Sequence, residues 1–274
     1  MAVACSRAAQ RGAMQDSDFP VIHAQRAVAE TTEHFVFGER NTGTNLAHNL
    51  LVQNIPALAR SASDRIGPHG FRYGWKHGFP QMVAAPASTL AVVVFRAPEP
   101  WLRSMHKRPW HAPERAKLSF AEFIRGEWAT HIDEQNFGVL HNDVRWGAEL
   151  QYDRHPLTGA RFENIVALRN AKTAGFLSLT KRFESCVLVR HEDLSANPEG
   201  FVDCVSQLCS LPRFQQFKPV EARRGRDGEG LYKPTTYPPL EPLDQAFVWG
   251  ALEAAQEAQT GYGPGGIQEK NWDE

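Results

Sequence analysis

The sequence predicts an α/β fold, a three-layer P-loop-type parallel sheet flanked by helices and built as a single domain. Three observations predict it. Residues 35–37, 90–95 and 186–189 are unbroken apolar runs, the pattern of strands buried on both faces. Longer segments with helical spacing of apolar residues lie between and after them. A glycine-bounded loop, Gly38-x4-Gly43, joins the first run to an apolar helical segment. Strands alternating with helices imply helices on both sheet faces and ligands at the carboxyl ends of the strands.

In chain order, residues 1–32 read as a small-residue, polar lead-in, 33–260 as the α/β domain and 261–274 as a Gly-rich polar tail. Helices are expected over 46–58, 101–107, 120–128, 162–183 and 201–208. Two irregular stretches interrupt them, 108–113 and 136–161. Long loops inside a compact domain serve as lids or binding loops, with a surface excursion as the alternative, which weighs slightly more for 136–161 than for 108–113.

The chain of 274 residues with 42% hydrophobic side chains can bury a full core. Thirty basic residues against 31 acidic ones leave a net charge of −1, which gives no bulk attraction to nucleic acid or an anionic membrane. Any anion site must therefore be local. No window approaches the roughly 20 apolar residues of a membrane span, and no signal-peptide core follows Arg7 and Arg11. The four cysteines lack metal-ligand spacing, so a reduced, cytoplasmic protein is expected.

The loop carries the first chemical signal. Backbone N–H groups at the helix start can cradle an anion, aided by the helix dipole. Thr44 stands where a nucleoside-triphosphate hydrolase places the lysine that reaches the β- and γ-phosphates. The loop therefore suits a single phosphate or sulfate group, although Gly-x4-Gly alone also fits an ordinary strand-to-helix turn. Arg96, at the end of the central strand, and Ser104, eight residues on, could bind one oxyanion through a planar fork of donors and a hydroxyl.

Four segments in order resemble the sulfotransferases that use 3′-phosphoadenosine 5′-phosphosulfate (PAPS). The run Arg40-Asn41-Thr42-Gly43-Thr44-Asn45 is similar to that family's 5′-phosphosulfate loop. Arg96-x-Pro98 with Ser104 resembles its 3′-phosphate motif, spacing included. The segment from Val189 through His191 to Leu194 resembles the strand end usually written Tyr-Glu-Asp-Leu. Arg223, Arg224 and Gly225, followed by Lys233, resemble the late basic-glycine loop that closes over the nucleotide. The resemblance spans about 34–233. It implies PAPS as donor, adenosine 3′,5′-bisphosphate (PAP) as product, no metal, and a small-molecule or carbohydrate acceptor with a hydroxyl or amine.

The stretch 73–80 is similar to the family's Lys-x-His segment, where lysine and histidine serve the reaction; here Lys76 and His77 are adjacent. Adjacent side chains on a regular strand face opposite ways, so either the backbone turns or one of the pair faces the site. His77 is the expected base, with Lys76 and Arg40 the cations at the bridging oxygen. Asn41 replaces a lysine that many relatives carry two residues before the second glycine, and His191 replaces the usual tyrosine. Glu192 and Asp193, which could hold magnesium in a kinase, read as caps and dipole partners of the following helix. Two rivals remain: a P-loop small-molecule kinase, and a catalytically silent nucleotide-binding scaffold. Trp110, Arg108, Arg145, Trp146 and Tyr152 suit a sugar or an aromatic alcohol equally. Oligomeric state is not legible.

Overall fold

The structure, a computed structural model, describes residues 19–59, 72–133, 137–223, 230–231 and 235–268. Four strands form the main sheet: β1 (His23–Gln25), β2 (Glu33–Phe37), β3 (Thr89–Phe95) and β4 (Ser185–Arg190), in the spatial order β1-β4-β3-β2. The pairs β2–β3 and β3–β4 are parallel, with Val36 opposite Val92 and Val92 opposite Val187. The pair β1–β4 is antiparallel, so the sheet is mixed and not wholly parallel as expected. Its short strand 23–25 lies inside the segment read as a lead-in. Phe19, the first described residue, is already buried in the core, so packing extends into the segment read as a lead-in.

Among the described residues there are eight α-helices, in the order α1 (Thr44–Asn54), α2 (Pro98–Lys107), α3 (Phe120–Arg125), α4 (Ile165–Leu177), α5 (His191–Ala196), α6 (Pro198–Cys209), α7 (Pro242–Ala251) and α8 (Ala254–Thr260). Two hairpins of two-residue strands complete the described elements, β5–β6 (Ala222–Arg223 with Gly230–Leu231) and β7–β8 (Tyr262–Gly263 with Gly266–Ile267). Side-chain alternation along the strands divides the core. Val36, Val92, Val94, Val187 and Val189 meet Leu50 and Leu51 of α1 and Phe201 and Val205 of α6 on one face. Phe35, Phe37, Val93 and Leu188 meet Phe176 of α4, with Leu179 and Phe183 beyond it, on the other. Each fully buried aliphatic side chain stabilises the fold by roughly 1.5–3 kcal/mol, which is why all seven residues of β3 are buried and apolar but Thr89.

Local chemistry sets the helix starts. Asn164 caps α4 by accepting from the N–H groups of Val166 and Ala167, and Ser119 with Glu122 forms a capping box on α3. Pro98 opens α2, where its missing N–H costs nothing. α1 differs: its N-cap, Gly43, has φ 95° and supplies no side-chain cap, which leaves the first-turn N–H groups to whatever sits above them.

β2 is an edge strand. The segment 72–76 lies against it: the Gly38 N–H donates to the Lys76 carbonyl at 3.1 Å, Arg72 pairs with Glu33 at 2.9 Å, and the Tyr73 hydroxyl bonds both Glu33 and Thr89. The stretch 137–161 is not a detached excursion. Phe137, Val139 and Leu150 are buried against Trp75.

Candidate functional site

The carboxyl ends of β2, β3 and β4 converge on the Gly38–Gly43 loop. Gly38 is obligatory there: a Cβ would lie 2.6 Å from the Val94 carbonyl and 2.7 Å from Thr42 Oγ1. Gly43 combines a positive φ with the His191 ring, whose Nδ1 would sit 2.6 Å from an added Cβ. Thr42 turns inward, its hydroxyl donating to the Glu39 carbonyl at 2.7 Å and its N–H to the same oxygen at 3.2 Å. Thr44 is buried at the first position of α1, and Asn45 beside it is exposed. Loop backbone and helix start thus lie together at the carboxyl ends of the strands, with no side-chain cap on the first-turn N–H groups of α1.

Lys76 and His77 both reach this loop. A turn closed by the Gly78 N–H on the Trp75 carbonyl at 2.8 Å breaks the strand-like alternation, so adjacency is no obstacle. Lys76 Nζ donates to Asn45 Oδ1 at 2.9 Å. His77 Nδ1 lies 2.6 Å from the Gly38 carbonyl. A carbonyl can only accept, so Nδ1 carries the proton and Nε2 keeps its lone pair. Burial, and then the Lys76 ammonium, push the His77 pKa well below the usual histidine range. The ring is therefore neutral, with its proton on Nδ1, and is a weaker base than an exposed imidazole.

Arg96 donates from Nη1 to the Asn41 carbonyl at 2.7 Å, with its guanidinium 5.8 Å from the Tyr237 ring centre. Its Nε is buried without a hydrogen-bond partner, a donor in want of an acceptor. Ser104, half-buried on α2, offers its carbonyl to Asn41 Nδ2 at 3.2 Å. His191 is held neutral, its pKa pushed down to about 3 by burial and next by Arg96.

Two expectations are corrected. Arg40 does not face the anion cradle with a free guanidinium. It is 2% exposed and paired with Glu39 at 2.9 Å and Asp153 at 2.7 Å, while Lys172 reaches Asp153 at 2.5 Å and Glu39 at 2.7 Å. Burial disfavours the Arg40 charge, but Asp153 and Glu39 outweigh it and raise its pKa. Burial likewise opposes the Asp153 charge, yet Arg40 and then Lys172 hold that carboxyl well below the usual range. The Asn41 side chain also turns away from the cradle, toward the end of α2. Arg223 lies in β5, and Arg224, Gly225 and Lys233 lie outside the described residues.

The residues that sequence reasoning missed are Glu39, Asp153 and Lys172. The available signal was Lys172 itself, one of two cations with Arg169 on the otherwise apolar face of α4; Arg169 pairs with Glu257 at 2.8 Å. Asp193 is engaged with Arg190 at 2.5 Å, and Glu192 accepts from the Ala97 N–H and from the Tyr262 hydroxyl, which ties the tail at Tyr262 to the site. Among the described residues, no group of three His, Cys, Asp or Glu side chains gathers as a metal site, and no helix is long and apolar enough to cross a membrane. A surface cleft of about 210 Å³ lies beyond the loop, lined by Phe79, Gln81, Tyr152, Arg154 and His155; it is adjacent to Gly78 but does not include the anion cradle.

Comparison with models of known protein families, with curated proteins and with solved structures finds no match to this chain.

Three neutral histidines, two at the loop and one on β2, have a consequence for stability. His34, like His191, has its pKa pushed down to about 3, by burial first and His48 second; His77 is also lowered. The unfolded chain binds protons at about pH 6.5 that the folded chain refuses until far lower pH. Stability is thus fully present above pH 6.5 and falls as pH drops from there toward 3, by about 1.4 kcal/mol per pH unit for each such group. Urea denaturation between pH 7 and 5 will show this fall, and His191→Gln will lower its slope by one proton. A flat profile would contradict the buried neutral assignment.

Proposed function

We propose that this chain is a sulfotransferase with a P-loop-type fold, moving a sulfuryl group from PAPS to a hydroxyl or amine of a small-molecule or carbohydrate acceptor. The observation that carries the reading is the convergence of three features on one loop: an uncapped helix start behind Gly43, Arg96 with an unused buried donor beside it, and His77 in the tautomer a base requires. In this reading the N–H groups around Gly43, Thr44 and Asn45 hold the 5′-phosphate, and Arg96 with Ser104 holds the 3′-phosphate. His77 Nε2 takes the acceptor proton as its oxygen or nitrogen attacks sulfur, the S–O bond to the phosphate breaks in line, and PAP leaves with the electron pair. Lys76, 2.9 Å from Asn45 and on the loop's exposed side, is the cation nearest the departing oxygen. Positioning and electrostatics supply the rate.

A second reading is favoured by the fate of Arg40 and Asn41. With one locked in buried ion pairs and the other turned away, the loop itself offers no free cation to the leaving group, as a binding-only scaffold would. A kinase is disfavoured by Thr44 at the lysine position and by the Asp193–Arg190 pair, which occupies the carboxylate that would hold magnesium.

Calorimetric titration with PAP, ADP and magnesium-ATP separates these readings. The sulfotransferase reading expects binding selective for the 3′-phosphorylated nucleotide. Arg96→Ala should weaken it by about 1.5–3 kcal/mol, the scale of a hydrogen bond to a charged group. Preference for magnesium-ATP would sink it in favour of the kinase. Selective PAP binding with no sulfuryl transfer to any of a broad acceptor panel would favour the scaffold.

A further inference from the structure

Asn41 stands between the two proposed anion sites and is bonded into both. Its φ of 63° is one of three positive values among the described non-glycine residues, and it turns the peptide so that its carbonyl meets Arg96 Nη1 at 2.7 Å. Its side chain is fully used on the other side. Nδ2 donates to the carbonyls of Ser104 at 3.2 Å and Arg108 at 3.3 Å, and Oδ1 accepts from Trp110 Nε1 at 2.9 Å. An asparagine amide has two donor hydrogens and an acceptor oxygen, and each finds a partner here. A lysine could give to the carbonyls but could not accept from the indole.

We propose that Asn41 is the positioning residue that fixes the separation between the loop's anion cradle and the Arg96–Ser104 site, so that the protein selects ligands bearing two anionic groups at one spacing. The inference rests on the sulfotransferase reading of those two sites. Its physics is that of any two-point ligand. Engaging the second point is intramolecular, and the gain from it depends on how well the two points are held at the ligand's own span. Asn41 grips α2 and the 108–110 turn with its side chain, Arg96 with its backbone, and is one residue from Thr42 and two from Gly43. Loosening it leaves each point intact and degrades only their registration.

Asn41→Gly is the discriminating variant, because glycine adopts φ near +63° without strain while deleting every side-chain bond. Trp110→Phe removes a single bond of the clasp. The full-length chain and these variants are titrated with adenosine 3′,5′-bisphosphate, adenosine 5′-monophosphate and adenosine 3′-monophosphate, after thermal melts verify folding. The wild type should bind the bisphosphate about a hundredfold or more tighter than either monophosphate, the low end of two-point gains. Asn41→Gly should lose about tenfold or more for the bisphosphate and stay within about threefold for each monophosphate.

Equal losses for all three nucleotides, or no loss for any, would overturn the positioning role while leaving the two-site reading standing. A wild type that fails to prefer the bisphosphate would overturn the two-site reading itself, and this role with it, before any variant is compared. If Asn41→Gly does not fold, Trp110→Phe decides: a selective loss for the bisphosphate supports the clasp, and an unchanged ratio of bisphosphate to monophosphate affinity overturns it.

Discussion

Asp153→Asn should lower the unfolding free energy by about 3–5 kcal/mol, because it leaves a buried charge without its counterion. Glu39, Arg40, Asp153 and Lys172 sum to zero charge, and none is more than 5% exposed. Removing the Asp153 charge leaves two cations facing one carboxylate in a site that also excludes water from Thr130, whose hydroxyl donates to Asp153 at 2.8 Å. The pairing of charge, not the number of contacts, decides the outcome. Asp153→Asn combined with Lys172→Met deletes more contacts yet restores neutrality, with Arg40 still on Glu39. Replacing a buried ion pair by apolar groups is often close to neutral. The double variant should therefore be more stable than Asp153→Asn alone, and urea denaturation of the four members of the cycle measures the difference. A double variant no better than the single one would show that shape, not charge balance, holds this cluster.

His77→Asn should reduce turnover by about 10²–10⁴-fold, the ordinary contribution of a positioned general base. Asparagine retains an NH2 group able to reach the Gly38 carbonyl, so the loop keeps its brace while the base at Nε2 is lost. PAP affinity should change little. Because burial and Lys76 push the His77 pKa well below its usual value of about 6.5, the acid limb of the wild-type rate profile should also fall below that pH. The check is sulfate transfer from PAPS to an acceptor panel, beside a PAP titration. Full turnover in His77→Asn would remove His77 from the chemistry; lost turnover accompanied by lost PAP binding would make it a brace only.

How much of this was legible in the sequence differs by element for physical reasons. β2, β3 and β4 announce themselves because strands buried on both faces are uninterrupted apolar runs, and the helices expected over 101–107 and 201–208 are present, each starting three residues earlier at Pro98 and Pro198. β1 was not legible. Three residues, His23, Ala24 and Gln25, take their strand geometry from pairing with Leu188, Val187 and Cys186, over 160 residues away, and no local signal encodes that partner. The site divides in the same way. Gly38 and Gly43 were readable because a loop between strand and helix constrains residue type locally, whereas Arg96 entered as a candidate from a strand end and Lys76 and His77 from the resemblance. Arg40 and Asn41 were readable as positions but not as orientations. Their side chains obey Asp153 and Trp110, whose proximity is a product of the whole fold. The 136–161 stretch read as a binding loop or a surface excursion because it is polar on average, and its packed residues Phe137, Leu150 and Asp153 are diluted among charges that pair on the surface, such as Asp143 with Arg145.

The segment that carries Lys76 and His77 also lies along the outer edge of β2, where Tyr73, Arg72 and the Lys76 carbonyl meet Glu33 and Gly38. Among the described residues no further strand pairs with that edge. An apolar edge left bare is a template for pairing with another copy of the chain. Variants that loosen 72–78 should accordingly cost more than activity: they would bare the backbone edge of β2 and invite self-association.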